Sequence, residues 1–348
     1  MRTATTVEFG TGWRDTLEFV LESERLGLDV CWVAEAWGAD APSALGYLAA
    51  RTHRLQLGSG VMQVGTRTPV AVAMAALTLA QLAEGRFLLG LGSSGPQVIE
   101  GLHGVPFARP LTRMRETIEV IRTACAGEKI AYDGAALQIP LPGGEGRPMR
   151  LAVEPADIPI YVASLSPGML RLTGAVAQGW LGTSFVPEGA AAYLDPLREG
   201  AASVGRTLAD LDICQGAEVA FAQDEAALTA MVAGRKKELA FSLGGMGSAS
   251  TNFYNDAYSR QGWAEVAAEV RTVWQSGHRD DATALVTDDM VLATTLIGTE
   301  SMVRDRLAVW RGAGVTTVRL YPAGESVAER LTTLGRAIEL VRDVGQAV

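Results

Sequence analysis

Hydrophobic positions along this chain fall into short aliphatic and β-branched runs. Each follows an amphipathic stretch that stops at a glycine. The unit reads Glu24-Arg25-Leu26-Gly27 before Val30-Cys31-Trp32-Val33, and again Leu82-Ala83-Glu84-Gly85 before Phe87-Leu88-Leu89. Later copies are Val176-Ala177-Gln178-Gly179 before Trp180-Leu181, and Arg311-Gly312-Ala313-Gly314 before Val315 to Leu320. A glycine just past a helix takes left-handed φ and ends it, so each copy marks a helix-to-strand transition. Strands alternating with helices predict parallel β/α units.

Strand candidates lie near Thr5–Phe9, Val30–Ala34, Leu55–Gly60, Phe87–Gly90, Ile158–Ala163, Trp180–Phe185, Leu211–Phe221 and Thr316–Tyr321. These eight strands, without a break in composition, predict an α/β fold. The expected architecture is one (β/α)8 barrel over residues 1–348 rather than two domains. Two stretches exceed ordinary loop length and read as insertions, near 128–157 and 241–290. The first holds a turn signal at Tyr132-Asp133-Gly134. The second holds Gly244-Gly245-Met246-Gly247 and then Phe253, Tyr254, Tyr258 and Trp263. Those aromatic residues suit an apolar or large substrate, and barrel insertions commonly carry function or elaborate the surface.

The run Arg86 to Gln97 ends in Gly-x-Gly-x-x-Gly, formed by Gly90, Gly92 and Gly95. Alone, that spacing reads as a dinucleotide-binding turn at a helix N-terminus. A Rossmann unit also needs a full crossover helix, then an acid ending the next strand about 20 residues on. Here Gly101, Gly104 and Pro106 interrupt the helix, and Arg115 and Glu116 lie within a helical stretch, Leu111–Ala124. The glycines therefore fit better as an open strand end that lets a flat ligand or phosphate approach the backbone.

Composition narrows the classes further. At 348 residues, with 48% hydrophobic and 6% aromatic content, the chain can bury a large aliphatic core. No apolar run approaches the roughly 18–20 residues a membrane span needs, and Met1 to Thr6 lacks the apolar centre of a secretion signal. The three cysteines (Cys31, Cys125, Cys214) are widely spaced and fit no metal pattern, as expected of a reduced, cytoplasmic protein. A net charge of −9 argues against a nucleic-acid surface. The expected partners are small molecules and other copies of the chain.

Several segments, in order, resemble the luciferase-like monooxygenase superfamily, in the branch of oxidoreductases dependent on coenzyme F420, a deazaflavin. They are Ala34-Glu35-Ala36-Trp37-Gly38-Ala39-Asp40, Leu57 to Gln63, Arg67-Thr68-Pro69 with Met74 to Leu79, Gly90 to Gly101, and Arg109 to Glu116. Gly244 to Gly247 with Thr251-Asn252-Phe253 extends the likeness late in the chain. The resemblance implies a ring bound at the carboxyl ends of the barrel strands. It implies a non-proline cis peptide near Gly60–Val61 in a bulge at the third strand. Asp40, Ser59, Gly60, Val61, Gly92, Ser93, Ser94 and Gly95 would line the ring. The phosphate arm would lie at Ser164, Ser166, Pro167, Gly168 and Met169, where a helix N-terminus offers N–H groups; a capped helix start without a ligand is the alternative there. A homodimer is a further implication, and no metal is expected.

The chain also departs from relatives that oxidise alcohols or sugar phosphates. Those use a His at the end of strand two and a Glu after strand four, whereas here stand Glu35-Ala36-Trp37 and Pro96-Gln97. Alcohol oxidation needs a base at the hydroxyl. Reduction of a C=C or C=N bond fits better, with Glu35, Trp37, Gln97 and His103 as catalytic candidates. Glu35 could equally hold loop N–H groups. Of the other histidines, His53 reads as structural and His278 as solvated. Arg235-Lys236-Lys237 reads as a solvated helix face that could also meet an acidic coenzyme tail. The alternatives are an FMN-dependent monooxygenase supplied by a separate reductase, a cofactor-free barrel that binds ligands, and an NAD-dependent dehydrogenase.

Overall fold

A computed structural model describes residues 1–10, 12–247 and 252–346; Thr251, part of one resembling segment, lies outside them. Eight parallel strands form the barrel: β1 (Arg2–Val7), β2 (Val30–Val33), β3 (Gln56–Ser59), β4 (Phe87–Gly92), β5 (Ile160–Ala163), β6 (Gly179–Gly182), β7 (Asp212–Phe221) and β8 (Thr317–Pro322). They pair in sequence order, and β8 returns to β1 through Arg2↔Thr317, Thr3↔Val318 and Ala4↔Arg319, which closes the ring. Helices α1 (Trp13–Leu26), α2 (Ala41–Ala49), α3 (Pro69–Leu82), α4 (Pro110–Cys125), α5 (Pro167–Val176), α6 (Ala191–Ala202), α7 (Glu225–Ala240), α8 (Glu300–Gly312) and α9 (Val327–Gln346) surround it. The (β/α)8 expectation holds.

Three boundaries moved for identifiable reasons. Strand β1 starts at Arg2 rather than Thr5, because closure on β8 recruits Arg2 to Ala4. Strand β4 runs on to Gly92, since Leu91 and Gly92 pair with Val162 and Ala163 and with the short bulge strand Met62–Gln63. Strand β6 ends at Gly182, and Ser184 turns the chain with φ 55°. The glycine punctuation was right at Gly27, Gly85 and Gly314, whose φ values are 85°, 80° and 99°. Gly179 differs: it is the first residue of β6, and a Cβ there would lie 2.1 Å from the Tyr161 ring. Space, not helix termination, requires glycine at that position.

Side chains fill the barrel interior. Ala4, Val30, Trp32, Leu88, Tyr161, Leu181 and Cys214 form one buried cluster, with Trp32 edge-on to Tyr161 at 5.0 Å. At the amino ends of the strands, Asp212 accepts from Tyr161 (3.0 Å) and Thr317 (2.7 Å), with Arg2 3.7 Å away. This polar plug closes the bottom and leaves the carboxyl ends as the face for chemistry.

The segment between α4 and β5 carries a small antiparallel pair, Tyr132–Asp133 with Gln138–Ile139. The Glu116 carboxylate holds its turn by accepting from Ala135, Ala136 and Leu137 N–H at 2.8–2.9 Å. Between β7 and α8, α7 and further short helices build a second apolar cluster around Leu239, Leu243, Tyr258, Val270 and Met290. Gln261 ties this layer to the barrel, donating to Ser184 O (2.6 Å) and accepting from Val186 N–H (2.7 Å). The helical layer therefore sits at the carboxyl end of β6.

Candidate active site at the barrel mouth

The β2–α2 loop is organised by carboxylates. Asp40 caps α2, accepting from Ser43 N–H at 3.0 Å, and Thr68 caps α3 in the same way. Glu35 accepts from Arg67 at 3.1 and 2.9 Å and from Ala41 N–H at 2.9 Å. The Glu35 side chain is 11% exposed and that of Arg67 30%, so the pair is partly shielded from water. The hydrogen bond to Glu35 raises the Arg67 pKa against the opposing effect of burial. Both Glu35 oxygens are thus engaged in joining two loops. Gln63 adds a further tie, donating to Ala36 O at 2.8 Å, while its own Oε1 is buried without a partner among the described residues. Trp37, 72% exposed, stands clear of the barrel.

At the end of β3 the Gly60–Val61 peptide is cis, at the position the resemblance implied. Ser59 is fully buried, and its hydroxyl donates to Gly90 O (2.8 Å) and accepts from Gly90 N–H (2.9 Å). That hydroxyl is committed to the neighbouring strand, which leaves backbone alone to meet a ligand there. Gly90 is required by the same contact, because a Cβ would lie 1.9 Å from Ser59 O. Likewise a Cβ on Gly92 would lie 2.4 Å from Val61 Cγ2, so glycine lets the bulge lie flat against β4.

Beyond Gly92 the loop turns at Ser94 (φ 56°), with Ser93 Oγ donating to Ser94 O at 3.3 Å. Gly95 precedes a single helical turn, Pro96–Ile99. Gln97 and His103 are both exposed, and neither side chain is drawn into the barrel interior. Glu100, the acid nearest the expected position, accepts from Phe107 N–H at 3.0 Å and so shapes the loop.

The β5–α5 turn has a different character. Ser164 is buried, its hydroxyl 3.0 Å from that of Thr173 and its carbonyl accepting from Trp180 Nε1 at 2.9 Å. Ser166 is the N-cap of α5 yet makes no side-chain cap bond, and Pro167 has no N–H to offer. The first turn, with Gly168 and Met169, therefore stays uncapped by side chains. The Arg260 guanidinium reaches this turn, donating to Leu165 O at 2.7 Å. N–H groups, a helix dipole and a cation together favour an anion.

Other groups at the mouth had no local motif to announce them. Glu218 on β7 lies 3.4 Å from Arg235 on α7, and burial pushes its carboxyl up despite that cation. Arg235 also pairs with Glu238, and Lys236 with Asp288, so the basic run is largely ion-paired rather than free. Arg319 and Tyr321 on β8 enter the barrel from the strand that closes it. Among the described residues no cluster of His, Cys, Asp or Glu could hold a metal ion, and no helix is long and apolar enough to cross a membrane.

Residues 2–317 match the family model for luciferase-like monooxygenases. The chain belongs to that family. Within it, this luciferase-like protein is 40% identical over 308 residues to a candidate coenzyme F420-dependent oxidoreductase of Mycobacterium tuberculosis, covering 86% of this chain and 88% of the other. It is 26% identical over 324 residues to the 5,10-methylenetetrahydromethanopterin reductase of Archaeoglobus fulgidus, covering 92% and 93%. Among solved structures, the coenzyme F420-dependent tetrahydromethanopterin reductase of Methanopyrus kandleri superposes with a TM-score of 0.79 at 24% identity, over 100% of this chain and 98% of that one. That likeness concerns the luciferase-like fold.

Proposed function

We propose that this luciferase-like protein binds coenzyme F420 across the barrel mouth and passes a hydride from its reduced form to a C=C or C=N bond of an organic substrate. The observation that carries the reading is the uncapped α5 N-terminus, where Ser166 makes no cap bond and Arg260 stands beside it. It suits the phosphate arm of a flavin-type coenzyme. The flat wall of Gly60, Val61 and Gly92 suits the ring, and the 40% identity to the mycobacterial protein favours the deazaflavin over FMN.

When bound, the reduced deazaflavin supplies two electrons and a proton as hydride. The protein's residues orient and shield. Val61, backed by Gly92, presents one apolar face, and the loop that carries Ser93, Ser94 and Gly95 closes one side of the mouth. Ser59 and Ser164 act through backbone, since their hydroxyls are already bonded. Glu35 and Asp40 hold the β2–α2 loop, and Trp37, on that loop, is available to cover a ligand. Gln97 and His103, both exposed, donate a proton to the substrate only when their loop folds inward on binding.

The test is a titration with coenzyme F420 and FMN, followed by turnover with and without oxygen. Tight F420 binding and oxygen-independent oxidation of the reduced coenzyme are expected. Preference for FMN with oxygen-dependent turnover would favour the monooxygenase reading. Failure to bind either at micromolar levels would overturn both.

A further inference from the structure

Inside the barrel, Arg319 has no ion-pair partner among the described residues, although only 7% of its surface is exposed. Its Nη2 donates to Gly182 O at 2.9 Å, at the carboxyl end of β6, and its Nε has no hydrogen-bond partner among the described residues. Burying a guanidinium with so few partners is costly, and proteins usually match such a group with an acceptor.

The surroundings are built to keep it there. Tyr321 packs its ring 5.7 Å from the guanidinium carbon, shares a side-chain hydrogen bond with it and is itself 37% exposed, so the pair opens towards the mouth. Gly216 makes the room: a Cβ would lie 2.8 Å from the Tyr321 ring and 3.1 Å from Arg319 Nη2. On β1, which pairs with β8, one more buried atom lacks a partner among the described residues, Thr6 Oγ1. Alternation with Ala4 in the interior cluster places this side chain on the inner surface. The guanidinium can only donate, and the hydroxyl can also donate. Their common need is an acceptor oxygen. Strands β8 and β1 lie outside the β3–β5 wall assigned to the ring, with β2 between β1 and β3, so an occupant held by them is the substrate rather than the coenzyme.

We propose that Arg319, supported by Thr6, binds the oxygen of a conjugated carbonyl substrate, an enone or an unsaturated carboxylate. The inference rests on the hydride-transfer reading above. The reduced deazaflavin, when bound, would supply the hydride, and with it two electrons, for addition to the β-carbon. The C=C electron pair shifts towards the carbonyl, and the charge that develops on oxygen lies beside the guanidinium. A proton from water then completes the α-carbon.

The experiment uses the whole protein, its R319M and R319K variants and T6V. Calorimetric titrations use cyclohex-2-enone, crotonate and cinnamate, each with and without oxidised coenzyme F420. The wild type should bind at least one probe, R319M at least about tenfold more weakly, and R319K in between. R319M should fold, because replacing an unpaired buried charge by an apolar chain is tolerated; if it does not, R319K and T6V carry the comparison. A wild type that binds none of the probes in either state, or variants that bind as tightly as it does, would overturn the proposal. Carbonyl binding without any coenzyme binding would overturn the hydride-transfer reading and leave this site standing.

Discussion

The substitutions Glu35→Gln and Glu35→Ala act on a carboxylate that receives three hydrogen bonds, two from Arg67 and one from Ala41 N–H. Hydrogen bonds to a charged group contribute about 1.5–3 kcal/mol each when shielded. Here the Arg67 side chain is 30% exposed, which moves its share towards the roughly 0–1 kcal/mol of a surface pair. Arg67 can rehydrate when its partner is removed, whereas Ala41 is buried at the first turn of α2. Together these give a loss of about 2–3 kcal/mol for Glu35→Ala and about 1–2 kcal/mol for Glu35→Gln, whose amide oxygen still accepts one bond. Urea unfolding at pH 7 measures both, with coenzyme-dependent turnover followed in parallel. A positioning role predicts lost stability with turnover changed less than about tenfold for Glu35→Gln, since general acid–base groups are worth about 10²–10⁴-fold. An unchanged urea midpoint with a hundredfold loss of turnover would refute the assignment and make Glu35 the proton donor.

Two further substitutions probe the scaffold. Gly90→Ala forces a Cβ to within 1.9 Å of Ser59 O, so about 3 kcal/mol or more of stability should be lost, read by urea unfolding or as insoluble expression. Glu24 tests acid behaviour: burial raises its carboxyl, but N–H groups of His53, Arg54 and Leu55 at 2.8, 2.6 and 2.9 Å outweigh that and hold it below its ordinary value. A depressed folded pKa gives stability that is present above the unfolded value and lost as pH falls through the folded one. The stability gap between wild type and Glu24→Gln should therefore shrink from pH 6 to pH 3; a gap independent of pH would contradict the cause.

Legibility in the sequence followed locality. Gly27, Gly85 and Gly314 announced helix ends because a left-handed residue is a local demand, visible in a few neighbours. Gly179 and Gly90 followed no local rule, since the Tyr161 ring and the Ser59 carbonyl that exclude a Cβ come from other strands. Barrel closure has the same effect on polar groups: Thr5 Oγ1 donates to Leu320 O across 315 residues of chain. Arg319 was invisible for that reason, being one arginine in a strand whose neighbours on both sides are assigned only when the ring closes. The Glu35–Arg67 pair links two segments that were each conspicuous, but nothing in either named the other. The Gly90–Gly95 spacing suggested a nucleotide turn; Gly90 and Gly92 are explained in the fold by the bulge at Ser59 to Val61, whereas a Cβ on Gly95 would meet only Gln97 Oε1 at 3.4 Å.

On the proposed function the mouth holds a deazaflavin through the α5 N-terminus. The most direct measurement is a fluorescence titration of the protein and of S166E and R260Q variants with coenzyme F420, with thermal melts as a control for folding. Micromolar or tighter binding by the wild type, weakened about tenfold or more in both variants without loss of melting temperature, is the predicted result. Equal binding by all three proteins, or none by the wild type, would contradict it.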